Sequence, residues 1–223
     1  MSGSSRAVHS RLSPTPRTST GGHAGSVIAP WMPRPPVPPA DDATSPAVVG
    51  AVAFDALLRD GHALRVWGGL AVTAGVVVSA EHRAAALGAL VPSRAVLGRR
   101  TAAWVHTGGS APARAEVIVG PRRRRPDPHP LRITHECALD PQDVVVVAGV
   151  RVTTVQRTGL DVARWTSPET ARRVLLRLCS AGFDPGAALH ALDALPGHAG
   201  VREARSTLAR VASLSVEPTL RRG

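Results

Sequence analysis

The sequence predicts an α+β fold, in which a degenerate winged-helix-like N-terminal piece precedes a mixed β-sheet with packed helices. Three observations lead to this prediction. A helical pattern followed by a glycine-centred hairpin occupies residues 46–72, strand-like apolar runs recur over residues 115–153, and apolar residues at helical spacing dominate after residue 155. The 223 residues are enough to bury a core in one medium domain or two small ones.

The N-terminal end of the chain differs in composition from the rest. Residues 1–45 are rich in Ser, Thr, Pro and Gly. Such a segment cannot bury enough apolar surface to offset the entropy of ordering it, so a disordered tail is predicted. Met32 is the only internal methionine and lies near the end of this tail, so translation starts at Met1 or at Met32. After the tail, we expect a partial winged-helix-like region over residues 46–92, an α+β domain over residues 93–215 and a C-terminal tail over residues 216–223.

The first patterned region predicts a helix and a hairpin. Between Pro46 and Asp60, apolar residues recur at helical spacing, namely at Val49, Val52, Ala53, Ala56 and Leu57. The pair Gly68-Gly69 then separates two short strand-like runs, and glycine tolerates the positive φ of a tight hairpin turn. A helix followed by a hairpin is the closing half of a winged helix.

The middle of the chain predicts helices and then a sheet. Ser79 is a candidate N-cap for a short helix over residues 80–90, and a second helix is expected over residues 99–106. Strands are predicted at residues 115–119, 131–135, 144–147 and 150–153. Because the run of four valines at residues 144–147 does not alternate with polar residues, we expect the sheet to be covered on both faces.

The last third of the chain predicts helices. Thr154, Ser167 and Asp184 each stand at a helix-start position, and a proline follows directly after the last two. A final helix is expected from about residue 201, where apolar residues again recur at helical spacing.

The charge of the chain points to a polyanionic partner. The 27 basic residues against 16 acidic ones give a net charge of +11, and all 27 are arginine because the sequence has no lysine. The lack of lysine excludes a phosphate-binding loop that uses one and a Schiff base. The densest cluster is Arg122–Arg125, within the proline-bounded segment 121–130. Its guanidinium groups either bind phosphate or, in the alternative interpretation, only keep a solvated loop soluble.

Eight arginines are candidates for binding nucleic acid. A recognition helix over residues 47–60 carries only Arg59, which Asp55 and Asp60 oppose, so the hairpin, a helix start and the arginine-rich segment are the better candidates. The full set is Arg59, Arg65, Arg99, Arg100, Arg122, Arg123, Arg124 and Arg125.

A second motif is expected to be structural. Thr154, Arg157, Thr158 and Asp161 follow the valine-rich hairpin, and Thr154 is placed to cap the next helix. Arg157 and Asp161 are four residues apart and therefore share one helix face. A pair that holds the helix against the sheet is favoured over a catalytic pair, because one carboxylate without a nearby base is a poor active site. An enzymatic alternative would have Arg157 and Asp161 act on a nucleotide.

No pattern indicates an enzyme, a metal site or a cofactor. Cys137 and Cys179 lie far apart and outside any CxxC context, and the histidines have irregular spacing. The longest apolar run, residues 69–80, is too short to cross a bilayer. We therefore expect a non-enzymatic cytoplasmic protein without catalytic residues, metal, cofactor or membrane partner. The patterns assign no oligomeric state.

Three segments together resemble a known family. Residues 92–104, 143–147 and 149–164 are similar to the AbiEi-type antitoxin family of actinobacteria, and the similarity extends over about residues 50–215. The most specific part is Thr154-x-x-Arg157-Thr158-x-x-Asp161-x-Ala163 directly after the valine-rich hairpin.

This resemblance implies a component of a type IV toxin–antitoxin system. Family members combine an N-terminal winged helix, which represses their own operon, with a C-terminal domain that counteracts a nucleotidyltransferase toxin. DNA of its own promoter and such a toxin are the implied partners. Some relatives continue into a nuclease domain similar to very-short-patch repair nucleases. Residues 215–221 resemble the lead-in to it, so the resemblance leads us to expect a member that lacks this nuclease. The alternative is an accessory or remnant interaction module of such a nuclease-fused protein.

Overall fold

The computed structural model describes residues 41–122, 124–195 and 197–220. Most of the predicted tail over residues 1–45, including Met32, lies outside the described residues. Arg123 and the last three residues of the predicted C-terminal tail also lie outside them.

A three-stranded antiparallel sheet and two helices form the first part of the fold. Its elements in chain order are β1 (Ala43–Thr44), α1 (Pro46–Val49), α2 (Ala51–Arg59), β2 (Ala63–Trp67) and β3 (Leu70–Thr73). The strand order is β1-β3-β2, so the second strand of the hairpin pairs with the strand that precedes both helices. The predicted hairpin is confirmed, and its turn contains Gly68 at φ 52°.

The single helix expected from Pro46 to Asp60 is instead two helices. Gly50 has φ 83° and ψ 153°, which stops α1 after one turn and redirects the chain into α2. The predicted apolar stripe is also wrong, because Phe54 is the buried residue of α2 whereas Val52 is 85% exposed. The hydrophobic face of α2 is therefore rotated away from the predicted one.

The second sheet has five strands of mixed direction. They are β4 (Val96–Leu97), β5 (Ala115–Val119), β6 (Arg132–Glu136), β7 (Val144–Val147) and β8 (Val150–Thr153), in the order β6-β5-β4-β8-β7. Strands β4 and β8 are parallel, as are β5 and β6, and the other two neighbouring pairs are antiparallel. Together with the helices, this confirms the predicted α+β class.

Six further α-helices and two short 3-10 helices, Gly88–Leu90 and Pro141–Asp143, complete the described part of the chain. The α-helices are α3 (Ala80–Leu87), α4 (Arg99–Thr107), α5 (Val155–Trp165), α6 (Pro168–Ser180), α7 (Pro185–Asp193) and α8 (Val201–Leu220). The side chains of Ser79, Thr154 and Asp184 cap α3, α5 and α7 as expected. Ser167 occupies the N-cap position of α6 but its side chain makes no capping hydrogen bond. Within the described residues, no helix has the length and apolar character needed to cross a membrane.

Two clusters of buried side chains form the core. One includes Leu97, Val117 and Val152 of the five-stranded sheet together with residues of α3 and α4. The other joins α5, α6, α7 and α8, and Phe183 belongs to it. Gly159 of α5 faces the ring of Phe183, and only a residue without a side chain leaves room for that ring.

Strand β7 departs from the prediction of a sheet covered on both faces. It is an edge strand, and Val145 and Val146 are 38% and 64% exposed. The run of valines therefore does not mark a strand buried on both sides. Strands β4, β5 and β8, by contrast, place most of their residues in the core.

Candidate nucleic-acid interface

A proline-rich loop between β5 and β6 carries exposed guanidinium groups. Arg122, Arg124 and Arg125 are all exposed in this loop, and Arg123 lies outside the described residues. Arg125 Nη2 is 3.7 Å from Glu136 Oε2, but both side chains are exposed, so this ion pair contributes little. Within the described residues, Arg122 and Arg124 form no ion pair. These three side chains, which we call the arginine loop, are available for an external anion.

The far end of the same loop is fixed to the body of the fold. Arg132 Nη1 donates to the carbonyl oxygen of Leu90 at 3.1 Å, and Arg132 Nη2 donates to that of Asp127. Leu131 N donates to His129 Nδ1 at 3.1 Å. Arg132 therefore fixes the C-terminal end of the β5–β6 loop through contacts within the protein. The side chains of the arginine loop take no part in these contacts.

Two more of the arginines predicted to bind nucleic acid, Arg65 and Arg59, lie on the hairpin β2–β3 and on helix α2. The Arg65 guanidinium lies 5.2 Å from the centre of the Phe54 ring and donates to the carbonyl oxygen of Gly68, so it braces the hairpin. Arg59 is exposed at the end of α2, where Asp55 and Asp60 are also exposed. The outer surface of α2 therefore offers little positive charge.

The two arginines at the start of α4 have different surroundings. Arg100 is exposed, whereas Arg99 has φ 53° and its guanidinium lies 5.0 Å from the centre of the Trp165 ring. Arg164 approaches the same ring at 5.0 Å. Burial lowers the pKa of Arg99, and the charges of Glu116 and Asp161 oppose this effect. Arg99 is thus half-buried against Trp165, whereas Arg100 lies on the open surface.

Arg157 connects three parts of the fold through one side chain. Its Nε is 3.2 Å from both carboxylate oxygens of Asp161, its Nη1 donates to Asp143 Oδ2 at 2.7 Å, and its Nη2 lies 3.2 Å from Cys137 Sγ. We call these four residues the Arg157 cluster. It ties α5 to the segment that runs from β6 to β7.

The threonines of the motif complete the start of α5. Thr154 Oγ1 accepts from the backbone N–H of Arg157 at 3.2 Å. Thr158 Oγ1 lies 2.6 Å from Thr153 Oγ1, and this contact is buried. All four motif residues therefore make contacts that hold the helix on the end of β8.

The charges of the Arg157 cluster are mutually compensated. Burial opposes the charge of Arg157, but Asp161 and Asp143 outweigh it and raise the pKa of the guanidinium. Burial raises the pKa of the Asp161 carboxyl, and Arg157 and Arg99 partly offset that increase. A guanidinium that donates to both oxygens favours the ionised form of this carboxyl group. Arg157 and Asp161 are therefore paired with each other within the protein.

His106 contacts the end of β8, and its burial leads us to expect that the free energy of unfolding depends on pH. Its Nε2 donates to the carbonyl oxygen of Thr153 at 2.7 Å, and burial lowers the pKa of its imidazole. The unfolded chain then binds this proton more readily, so the free energy of unfolding should fall as the pH drops below about 6.5. In His106→Gln, urea denaturation at pH 7.5 and 5.5 should show a smaller difference than in the wild type. An equal difference in both proteins would exclude His106 as a source.

Several contacts were not predicted from the sequence. Glu116 Oε2 accepts from His135 Nε2 at 2.9 Å across β5 and β6. Asp143 and Cys137 complete the Arg157 cluster, and Trp165 stacks on Arg99. The spacing of Asp161 and Trp165 places both on one helix face, and this was the one local signal that Trp165 lies near the motif. The other contacts join segments that are far apart in the sequence.

Within the described residues, no group of three or more His, Cys, Asp and Glu side chains is arranged to hold a metal ion. No protein-family model matches the chain, and no curated protein matches it.

Proposed function

We propose that the protein is a non-enzymatic, DNA-associated transcriptional regulator that acts in the cytoplasm as an antitoxin of the AbiEi type. In this proposal it binds its own promoter and counteracts a nucleotidyltransferase toxin. The observation that carries the DNA-binding part is the arginine loop, in which Arg122, Arg124 and Arg125 are exposed and almost without acidic partners.

The chemistry of the arginine loop favours a phosphate backbone. Guanidinium groups donate two parallel hydrogen bonds to phosphate oxygens and remain charged at any physiological pH. Each phosphate that they neutralise releases counterions, which drives binding at low salt. Contacts of this kind position a protein on a duplex and do not select a sequence.

The N-terminal elements favour DNA among the possible polyanions. A strand, two helices and a hairpin whose second strand pairs with the first strand resemble the part of a winged helix that follows its first helix, which supports this part of the proposal. In that comparison α2 takes the place of the recognition helix and β2–β3 that of the wing. Because Val52 and Asp55 are exposed on α2, we assign the affinity to backbone contacts rather than to base reading.

The Arg157 cluster supports a structural role for the shared motif. Asp161 is 2% exposed and both of its oxygens accept from Arg157. A carboxylate in this position reaches no substrate. The motif that resembles the family is therefore assigned to the stability of the domain that would meet the toxin.

The DNA-binding proposal predicts a selective effect of the arginine loop. Fluorescence anisotropy with a labelled promoter duplex should show weaker binding as salt rises from about 50 to 200 mM. The variant R122A/R124A/R125A should lose affinity at least about tenfold at low salt. The slope of log K against log salt should become shallower by up to about 2.7, since each phosphate contact contributes about 0.9.

A matched variant separates this effect from net charge. R172A/R173A/R202A removes the same charge from exposed positions on α6 and α8. It should bind almost as the wild type does. Equal loss of affinity in both variants, or a wild type that ignores duplex DNA at low salt, would contradict the assignment.

The antitoxin part has a separate test. Co-expression with a nucleotidyltransferase-like toxin encoded next to the gene should relieve the growth arrest that the toxin causes. R122A/R124A/R125A should still relieve it, because the arginine loop is assigned to DNA. Growth arrest that persists with folded wild-type protein would refute the antitoxin role.

A further inference from the structure

At one edge of the five-stranded sheet, strand β7 has no protecting side chain among the described residues. Strand β7 consists of four valines, without a charged residue or proline, and pairs with β8 in regular register. Val146 is 64% exposed on this strand. Natural edge strands usually carry charges, prolines or bulges that prevent pairing with another chain. Strand β7 has none of these.

The hydrogen-bonding groups of β7 show what the edge can accept. The N–H of Thr154 donates to the carbonyl of Asp143 at 2.8 Å, so residues 143, 145 and 147 direct their backbone groups toward β8. Residues 144 and 146 must then face outward. The N–H of Val144 donates to the carbonyl of Pro141. Within the described residues, the N–H and carbonyl of Val146 and the carbonyl of Val144 have no partner.

The opposite edge of the sheet is protected. Strand β6 carries Arg132 and Glu136 at its two ends. Arg132 also fixes the neighbouring loop through Leu90 and Asp127. In the part of the chain that the structure describes, β7 is therefore the one open edge of this sheet. A single self-complementary edge gives a closed pair rather than a fibre.

We propose that β7 pairs in antiparallel fashion with β7 of a second copy of this chain, forming a symmetric dimer with Val145 on the two-fold axis. In this register the N–H of Val146 in each copy donates to the carbonyl of Val144 in the other. The two Val145 residues form a non-hydrogen-bonded pair with their Cα atoms about 4.5 Å apart. The five-stranded sheets of the two copies become one ten-stranded sheet.

The charges around β7 favour an antiparallel second copy. Asp140 is exposed just before the strand, whereas Arg151 lies opposite Val146 near its end and forms no ion pair within the described residues. Antiparallel pairing brings the acidic start of each strand toward the basic end of the other. Parallel pairing would place like charges together. Because only four residues pair on each side, the interface is smaller than that of stable complexes and the dimer should be weak.

Disulfide trapping tests the register. Val145→Cys should form a covalent dimer under mild oxidation, because Cα atoms at this separation suit a disulfide. Val77→Cys is the matched control, since Val77 is 86% exposed in the loop before α3. Wild-type protein gives the background from Cys137 and Cys179. Equal dimer yields for Val145→Cys and Val77→Cys would overturn the register.

Sedimentation tests the dimer without a covalent bond. The wild type should pass from monomer to dimer between low micromolar and several hundred micromolar concentration. Val146→Lys should remain a monomer throughout, while Val77→Lys should associate as the wild type does, with circular dichroism confirming that both fold. A wild type that stays monomeric would overturn the proposal. So would a β7 edge that pairs with a strand of a different protein instead of a second copy. Association that Val146→Lys leaves unchanged would overturn it as well.

Discussion

Replacing Arg157 with methionine should lower the free energy of unfolding by about 3–5 kcal/mol, because it leaves a buried carboxylate without its partner. Asp161 is 2% exposed and receives both of its Arg157 contacts at 3.2 Å. Asp143 would lose its contact as well, but it is more exposed and can regain water. Urea denaturation of Arg157→Met and wild type at neutral pH measures this loss.

The pH dependence of Arg157→Met identifies the charge as the cause. Burial raises the pKa of Asp161, and without Arg157 only the smaller effects of Arg99 and Arg164 oppose that increase. A group whose pKa is raised in the folded state stabilises the fold at low pH and loses that contribution as pH rises. Arg157→Met should therefore be closer to the wild type at pH 5 than at pH 8. The double variant R157M/D161N should recover part of the loss.

An exposed arginine on a neighbouring helix provides the control. Arg173→Met on α6 should change the free energy of unfolding by no more than about 0.5 kcal/mol. If Arg157→Met were equally mild, the Arg157 cluster would not hold α5 to the sheet.

Replacing Gly159 with alanine should also destabilise the protein strongly, by about 3 kcal/mol. Helix propensity alone would favour alanine by up to about 1 kcal/mol. A Cβ at this position, however, would lie 2.1, 2.4 and 2.6 Å from three atoms of the Phe183 ring. Phe183 is buried, so its ring cannot turn aside into solvent. Thermal or urea denaturation decides which effect is larger.

A second substitution shows whether the ring is responsible. In a Phe183→Leu background the same Gly159→Ala change should cost less, since the smaller side chain frees space. Purely additive effects in this double-mutant cycle would contradict the contact. Gly88→Ala is the matched control, because a Cβ there meets Val150 Cγ2 at 3.4 Å, an ordinary contact, and should change stability little.

The local features of the fold could be predicted because they depend on few residues. Ser79, Thr154 and Asp184 cap helices through contacts within their own first turn. The glycine pair of the β2–β3 hairpin likewise acts locally. The break at Gly50 could not be predicted, because glycine within a helical pattern is compatible with either continuation or interruption. The order of the strands in each sheet could not be predicted from local sequence either, because strand pairing joins residues that are far apart in the chain.

In the candidate site too, local contacts could be predicted from the sequence and contacts between distant segments could not. The sequence indicated that Arg157 and Asp161 form a structural pair, since helix spacing alone brings them together. It gave no sign of Asp143 and Cys137, which reach Arg157 only through the path of the chain from β6 to β7. Nor could it separate the half-buried Arg99, stacked on Trp165, from the exposed Arg122, because exposure depends on tertiary packing.

Strand β4 has consequences for how the protein is made. It has only two residues, and Leu97 pairs with Val152 of β8. During synthesis on the ribosome, the central pairing of the sheet must wait until Val152 has been added. Until then, the nascent chain presents an uncharged strand edge to other nascent chains and to chaperones. A translational pause after β4 and before β8 would prolong the time during which the unpaired edge of β4 is exposed and the nascent chain can aggregate.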